Sequence, residues 1–146
     1  MYKQILIPLE NSPTDETIMH HIRPLIRLTG ASVILVHVAD GYAARLQDEL
    51  NFEDSEEITK DRLYLESRKK ELEKEGFKVK VQLLRGEPAN QILNVASQEK
   101  CDLIAMSTHG HRFLKDVVLG SVAETIRHRT NLPVLMIRSS HAESNP

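Results

Sequence analysis

The sequence predicts an α/β domain with a five-stranded parallel sheet and helices on both faces. Short runs rich in β-branched residues alternate with longer amphipathic stretches along the 146 residues, and this alternation is typical of parallel sheets. The run from Ser32 to Val38 is almost continuously apolar, as expected for a strand buried on both faces. The length is that of one ordinary domain.

The first strand and the first helix are marked by local signals. The strand is predicted from Lys3 to Leu9. The helix is predicted from Ser12 to about Leu28, because Ser12 and Asp15 have the spacing of a capping box and Gly30 suits a helix end. Pro24 lies inside this helix and is expected to kink it.

The remaining elements follow from the same hydrophobic periodicities. They are a strand from Ser32 to Val38, a helix from Ser55 to Glu75, a strand from Lys78 to Leu83, a helix opening near Pro88, a strand from Leu103 to Ser107, a helix from Gly120 to about Arg129 and a strand from Val134 to Ile137. Ile58, Leu65 and Leu72 are seven residues apart, which predicts one buried stripe. The alternation from Lys78 to Leu83 predicts a half-exposed strand near an edge. The stretches 40–54 and 108–119 carry no comparable pattern.

Composition excludes several classes of function. The 19 basic and 21 acidic residues give a formal charge of −2, and there is no Trp, so neither a nucleic-acid-attracting field nor a base-stacking platform is expected. No apolar run approaches the roughly 18 residues of a membrane span, and the first residues lack a signal-peptide pattern. The single cysteine, Cys101, forms no internal disulfide, as is usual in a reducing compartment. We therefore expect a cytoplasmic protein without nucleic-acid or membrane partners.

The topology predicts where a ligand binds. In an open parallel sheet, ligands lie outside the carboxyl ends of the strands, where the strand order reverses. If the first and fourth strands are central neighbours, two segments converge there, Pro8-Leu9-Glu10 and Ser107-Thr108-His109-Gly110.

The stretch from Ser107 to Val122 is the most informative part of the chain. A helix N-terminus at Gly120-Ser121 offers free N–H groups and a positive dipole end, which suit a phosphate. Ser121 adds a hydroxyl, and Arg112 and Lys115 add positive charge. The alternative interpretation is a plain connection with a glycine turn.

This stretch resembles the nucleotide-binding motif of the universal stress protein family. That motif places a glycine, two residues, a second glycine, nine residues, and a third glycine before Ser or Thr. Ser107 stands at the first glycine position, whereas Gly110, Gly120 and Ser121 match the pattern. The resemblance extends from Met1 to Arg138 and includes Tyr2 to Pro8, Val36-His37-Val38 and Pro133 to Ile137.

The resemblance implies a three-layer, Rossmann-like fold, similar to adenine-nucleotide alpha-hydrolases, with strand order 3-2-1-4-5. It also implies an ATP-binding regulatory or sensor module of the stress response, with a domain over residues 1–138 and a flexible tail over residues 139–146. Val134 to Ile137, an apolar edge strand, is expected to pair with its copy in a homodimer.

The resemblance further assigns a role to each matching residue. Pro8, Leu9 and Glu10 would line the adenine and ribose side, and Val38 would face the base. Gly120, Ser121 and Val122 would hold phosphate, and Mg²⁺ would be held by phosphates and water rather than by side chains. The ribose and phosphates would be wrapped by Met106, Ser107, Thr108, His109, Gly110, His111 and Arg112.

Two departures from the motif leave a second interpretation open. Ser107 carries a Cβ that can crowd a phosphate or ribose, although its hydroxyl can also donate to one. Glu10 stands where nucleotide-binding members often have Asp. Both departures favour a member of the same fold that binds proteins rather than nucleotides.

An enzyme is the third interpretation, either a weak ATPase or an adenylyl-transferring enzyme. Thr108-His109-Gly110-His111 resembles the Thr/His-x-Gly-His signature of adenylyl transfer, but it follows the fourth strand instead of the first. The chain has no P-loop, no Gly-x-Gly-x-x-Gly after the first strand and no Gly-x-Ser-x-Gly. No residue is placed as a general base, so any ATPase activity is expected to be slow.

The remaining reactive side chains are interpreted as structural. His20 and His21 are adjacent on a helix and point to different faces, so we expect no metal site there. His37 is expected to be a satisfied core histidine. Cys101 is expected to be a partly buried thiol without a redox partner.

Overall fold

The computed structural model describes residues 1–39, 56–108 and 117–139, with only the backbone at 57 and 117–120. Strands and helices alternate throughout. They are β1 (Gln4–Pro8), α1 (Asp15–Thr29), β2 (Ser32–Ala39), α2 (Glu56–Lys74), β3 (Val79–Arg85), α3 (Pro88–Gln98), β4 (Leu103–Thr108), α4 (Val117–Arg129) and β5 (Val134–Arg138).

The strands form one parallel sheet in the order β3-β2-β1-β4-β5. This order confirms the predicted fold, including the edge position of β3. Strand order reverses between β1, which pairs with β2 on one side, and β4, which pairs with β5. The predicted ligand position is therefore the carboxyl end of the β1–β4 pair.

The two faces of the sheet bury separate apolar clusters. Ile5 and Ile7 face α1 and α2, whereas Leu6 faces α3 and α4. This alternation follows from the two-residue period of a strand. The predicted α2 stripe is confirmed, since its three members are at most 2% exposed: Ile58, Leu65 and Leu72. In α3, Ile92 and Ala96 are buried and Leu93 is half-buried.

Two helix starts differ from the prediction. α1 begins at Asp15 rather than Ser12, because residues 12–14 form a separate turn in which the Ser12 Oγ accepts the Thr14 N–H at 3.2 Å. α4 begins at Val117, three residues before Gly120, so the apolar residues before the glycine already belong to the first turn. The α1 end is as predicted, with Gly30 at φ 69°.

Several predictions fall on residues outside the described ranges, namely the stretch 40–54, the loop residues 109–116 and the tail from 140 onward. The packed part of the chain extends to Ser139, which is fully buried and donates its N–H to the Thr108 carbonyl at 2.8 Å. Among the described helices, none is long and apolar enough to cross a membrane.

Candidate functional site

We name the region between the carboxyl ends of β1 and β4 the crevice. Within the described residues, these strands pair only at Ile5–Leu103 and Leu6–Ile104, although β1 continues to Pro8 and β4 continues to Thr108. By contrast, β1 pairs with β2 along all five of its residues. The two central strands therefore separate at the topological switch point, and this separation defines the crevice.

Asp102 ties the opposite ends of the same strands together. Its carboxylate accepts the N–H groups of Lys3 at 2.8 Å and Gln4 at 3.0 Å. Its own N–H donates to the Gln4 carbonyl at 2.9 Å. Because the amino ends are fixed and the carboxyl ends are unpaired, the crevice has one closed end and one open end.

The β1 side of the crevice contains the residues predicted to line adenine and ribose. Pro8 and Leu9 are buried, and Leu9 packs into the core on the α1 face. Glu10 is half-buried, and its Oε1 accepts the Ser12 hydroxyl at 2.6 Å. Val38, at the end of β2, is half-buried on the α3 face. Pro8 and Leu9 therefore offer mainly backbone and shape, whereas Glu10 offers a polar side chain.

The β4 side gives Ser107 a role that the sequence does not reveal. Its side chain is 1% exposed, and its Oγ accepts the Ile18 N–H of α1 at 3.1 Å. Ile18 is the fourth residue of α1, and the Thr14 carbonyl, four residues before it, accepts the Thr17 N–H at 3.2 Å. The hydroxyl thus faces α1 and satisfies a helix terminus. Met106 is fully buried on the other face, and Thr108 is half-buried.

The helix N-termini differ in how they receive an anion. α1 has Asp15 and Glu16 in its first turn, and the Glu87 carboxylate accepts the Ala89 and Asn90 N–H groups at the start of α3. α2 begins with Glu56 and Glu57. The first turn of α4 has no acidic residue, and Arg112 and Lys115 stand close before it in the sequence together with Asp116, so its dipole can attract a phosphate.

The start of α4 changes how its predicted phosphate ligands are interpreted. In a helix that begins at Val117, the N–H groups of the first turn point toward the helix N-terminus, where a phosphate can accept them. Gly120 lies in that turn and carries no side chain over it. Ser121 is exposed and contributes a hydroxyl, whereas Val122 is 6% exposed and lies in the next turn. His109, Gly110, His111 and Arg112 lie outside the described residues.

A polar network behind the β1–α1 loop was not predicted from the sequence. The Asp15 carboxylate, 1% exposed, accepts the N–H groups of Glu10 at 3.0 Å and Asn11 at 2.9 Å. It also accepts the Tyr64 hydroxyl at 2.5 Å. Burial raises the pKa of Asp15, and the hydrogen bonds from Tyr64 and from the two backbone N–H groups partly oppose that rise. An Asp at the third position of a predicted capping box was the available signal, but Tyr64 on a distant helix gave none.

His37 joins the same network, which confirms the prediction of a satisfied histidine. Its Nδ1 lies 2.8 Å from the Leu9 carbonyl, and its Nε2 lies 3.2 Å from the Asp61 carboxylate. The other Asp61 oxygen accepts the Asn11 side-chain amide at 2.8 Å. β2 and α2 together therefore hold the loop that follows β1.

His20, His21 and Cys101 lie outside the crevice. His20 and His21 are exposed on α1 and line a shallow groove with Pro24. Cys101 is 5% exposed, and burial raises the pKa of its thiol to about 11. Within the described part of the chain, no three His, Cys, Asp or Glu side chains are grouped to hold a metal ion.

Comparison with known proteins gives the same fold and extends the likeness to sequence. The universal stress protein MJ0577 of Methanocaldococcus jannaschii is 34% identical over 97% of this chain and 98% of its own length. The solved structure of MJ0577 has a TM-score of 0.76 and 36% identity, covering 94% of this chain and 96% of its own.

Two more distant structures share the fold and contain nucleotides. A universal stress protein from Archaeoglobus fulgidus in complex with dAMP has a TM-score of 0.69 and 24% identity, covering 93% of this chain and 98% of its own. A universal stress protein in complex with cAMP has a TM-score of 0.70 and 14% identity, covering 94% of this chain and 97% of its own.

The family model described as the universal stress protein family matches residues 1–138. That match spans every described strand and helix. The chain belongs to the universal stress protein family.

Proposed function

We propose that this chain binds an adenine nucleotide, ATP with Mg²⁺, in the crevice and acts as a regulatory or sensor module of the stress response. The observation that carries the proposal is the separation of β1 and β4 at the switch point. A parallel sheet offers a ligand this position because backbone groups there have no strand partner.

The family relatives support the adenine class. The dAMP and cAMP complexes have in common an adenine base, a sugar and a phosphate. In this chain the base and ribose would lie along Pro8, Leu9, Glu10 and Val38, and the phosphates would lie at Gly120 and Ser121. Ser107 does not oppose this arrangement, since its hydroxyl is directed toward α1.

Mg²⁺ would be bound through the phosphates and water, as this ion usually is. It would offset phosphate charge while the α4 N-terminus binds the phosphate oxygens. The half-buried edge strand β5 supports the proposed homodimer through Val134 to Ile137, and we place the protein in the cytoplasm.

The test is calorimetric titration of nucleotide-free protein with ATP and Mg²⁺, beside GTP and adenosine. Gly120→Asp is compared with Gly120→Asn, because the two side chains have nearly the same size and differ in charge. A carboxylate close to the phosphates costs about 1–4 kcal/mol at effective dielectric constants between water and the protein surface. We expect Gly120→Asp to bind ATP about tenfold more weakly than Gly120→Asn. The two variants should bind adenosine with equal affinity.

The outcomes separate the three interpretations of this family member. No heat from wild-type protein at millimolar ATP would indicate a member that binds proteins instead. Equal ATP affinity of the two Gly120 variants would exclude the α4 N-terminus as the phosphate position. Phosphate release or AMP transfer above the Gly120→Asp background would indicate an enzyme.

A further inference from the structure

The β1–α1 loop, residues 9–12, is held in an unusual conformation by a buried carboxylate. The Asp15 side chain accepts three successive backbone N–H groups, from Glu10, Asn11 and Ser12, at 3.0, 2.9 and 3.4 Å. Asn11 has φ 62°, a left-handed conformation that is uncommon for non-glycine residues and that Asn adopts more readily than most. Such a conformation persists when the surrounding contacts define it, and here those contacts converge on Asp15.

Helix α2 hydrogen-bonds to that carboxylate through Tyr64. The Tyr64 hydroxyl donates to Asp15 Oδ2 at 2.5 Å. Arg68, one turn further along α2, donates to the Tyr64 oxygen at 3.1 Å and lies 5.2 Å from the centre of its ring. Arg68 also pairs with Glu16 of α1. Tyr64 therefore has its hydroxyl fixed between one acceptor and one donor.

A second contact from α2 reaches the same loop. Asp61 accepts the Asn11 side-chain amide at 2.8 Å, and its other oxygen contacts His37, whose Nδ1 lies 2.8 Å from the Leu9 carbonyl. Asp61 and Tyr64 are three residues apart, so they occupy one face of α2. The loop is thus linked to α2 in two ways. The Asn11 side chain bonds to Asp61 directly, and the loop backbone bonds to Asp15, which accepts the Tyr64 hydroxyl.

As a way of packing the core, this polar network has a high free-energy cost. Burial raises the pKa of both Asp15 and Tyr64, which means that the charged forms are disfavoured there. Buried polar groups are tolerated when they are fully hydrogen-bonded, and an apolar pair of similar volume often stabilises a fold as well or better. The network therefore specifies a loop geometry, and that loop forms the β1 wall of the crevice.

We propose that Asp15 and Tyr64 are positioning residues that hold residues 9–12 in the conformation competent for nucleotide, so that α2 and the crevice are coupled. This inference rests on the proposed function. It assigns to α2, which does not contact the ligand in that proposal, control over nucleotide affinity.

The experiment compares Tyr64→Phe with Tyr2→Phe as a matched control. Tyr2 packs half-buried against the same core cluster. Three quantities are measured for each variant: ATP affinity by calorimetry, the free energy of unfolding in urea, and amide exchange of Glu10, Asn11 and Ser12 without nucleotide. We expect Tyr64→Phe to weaken ATP binding about fivefold and to increase the exchange rates of these three amides at least tenfold. Tyr2→Phe should remain within twofold of wild type in ATP affinity and in the exchange rates of these amides.

A double-mutant cycle with Glu10→Ala distinguishes positioning from general destabilisation. If Tyr64 acts through the loop, Tyr64→Phe weakens ATP binding less in the Glu10→Ala background than in wild type. If Tyr64→Phe only lowers the stability of the fold, it weakens ATP binding by the same factor in both backgrounds. ATP binding by wild type that Tyr64→Phe leaves unchanged would overturn this inference and spare the proposed function. Absence of ATP binding by wild type would overturn both.

Discussion

Ser107→Ala tests whether this serine is a helix-terminus partner or a ligand contact. The Ser107 Oγ is the acceptor for the Ile18 N–H at 3.1 Å, and the serine is 1% exposed. Alanine fits the same space and removes only the acceptor. The Ile18 N–H then remains buried in the first turn of α1, where the nearest helical acceptor, the Thr14 carbonyl, already accepts the Thr17 N–H.

The expected loss follows from the cost of an unsatisfied buried donor, about 1–3 kcal/mol. Removing a buried hydroxyl returns part of that loss, so we expect the free energy of unfolding to fall by about 1–2 kcal/mol, a factor of roughly 5–30 in the unfolding equilibrium. With a urea slope of about 1–3 kcal/mol/M, the midpoint should fall by roughly 0.3–2 M. ATP affinity should stay within twofold, because the hydroxyl faces α1.

The assay is urea unfolding followed by far-ultraviolet circular dichroism, with calorimetry for ATP. Ser97→Ala is the control, since Ser97 is an exposed serine near the end of α3. An unchanged midpoint together with a large loss of ATP affinity would refute the reasoning. That result would mean that Ser107 contacts the ligand, as the family motif at first suggests.

Two further predictions concern titratable groups outside the crevice. Burial raises the pKa of the Cys101 thiol to about 11, so at pH 8 roughly 0.1% of it is thiolate. We expect an aromatic disulfide reagent to label Cys101 far more slowly in native protein than in urea. Immediate labelling of native protein would contradict this. Hydrogen bonds and charge from Arg23 and Arg27 lower the pKa of Glu75, so its contribution to stability is present above the ordinary Glu pKa and is lost as the pH falls through the lowered value. The difference in urea midpoint between wild type and Glu75→Gln should therefore shrink between pH 6 and pH 3, and a constant difference would count against the ion pair.

Strand positions and topology were predictable because they depend on periodicity. Apolar runs such as Ser32–Ala39 report burial on both faces, and alternation with helices leaves few topologies. Helix starts were less predictable. At Val117, β-branched and apolar residues are compatible with either a loop or a first helical turn, so the sequence points to Gly120 as the start, although Gly120 lies inside α4.

The candidate site was predictable only in its backbone. The family motif and the switch point both indicated the ends of β1 and β4, whereas the side-chain contacts depend on residues far apart in sequence. Ser107 and Ile18 are 89 residues apart, and Asp15 and Tyr64 are 49 apart. No local pattern encodes such pairs, because either partner alone resembles an ordinary strand or helix residue.

The distribution of charge at the carboxyl edge of the sheet also fixes the direction of a nucleotide in the proposed site. Asp15 and Glu16 begin α1, and Glu87 caps α3. These carboxylates lie at the helix starts that follow β1 and β3, so phosphate placed near either of them meets like charge in addition to N–H groups that already have acceptors. Asp116 directly precedes α4 in the sequence, but Arg112 and Lys115 stand within five residues of Val117, and the first turn of α4 carries no acid. A nucleotide in the crevice therefore lowers its energy by directing its phosphates toward α4 and its uncharged base toward β1 and β2. Because this orientation arises from repulsion at two helix starts as well as attraction at the third, changing Gly120 alone weakens binding without reversing the ligand.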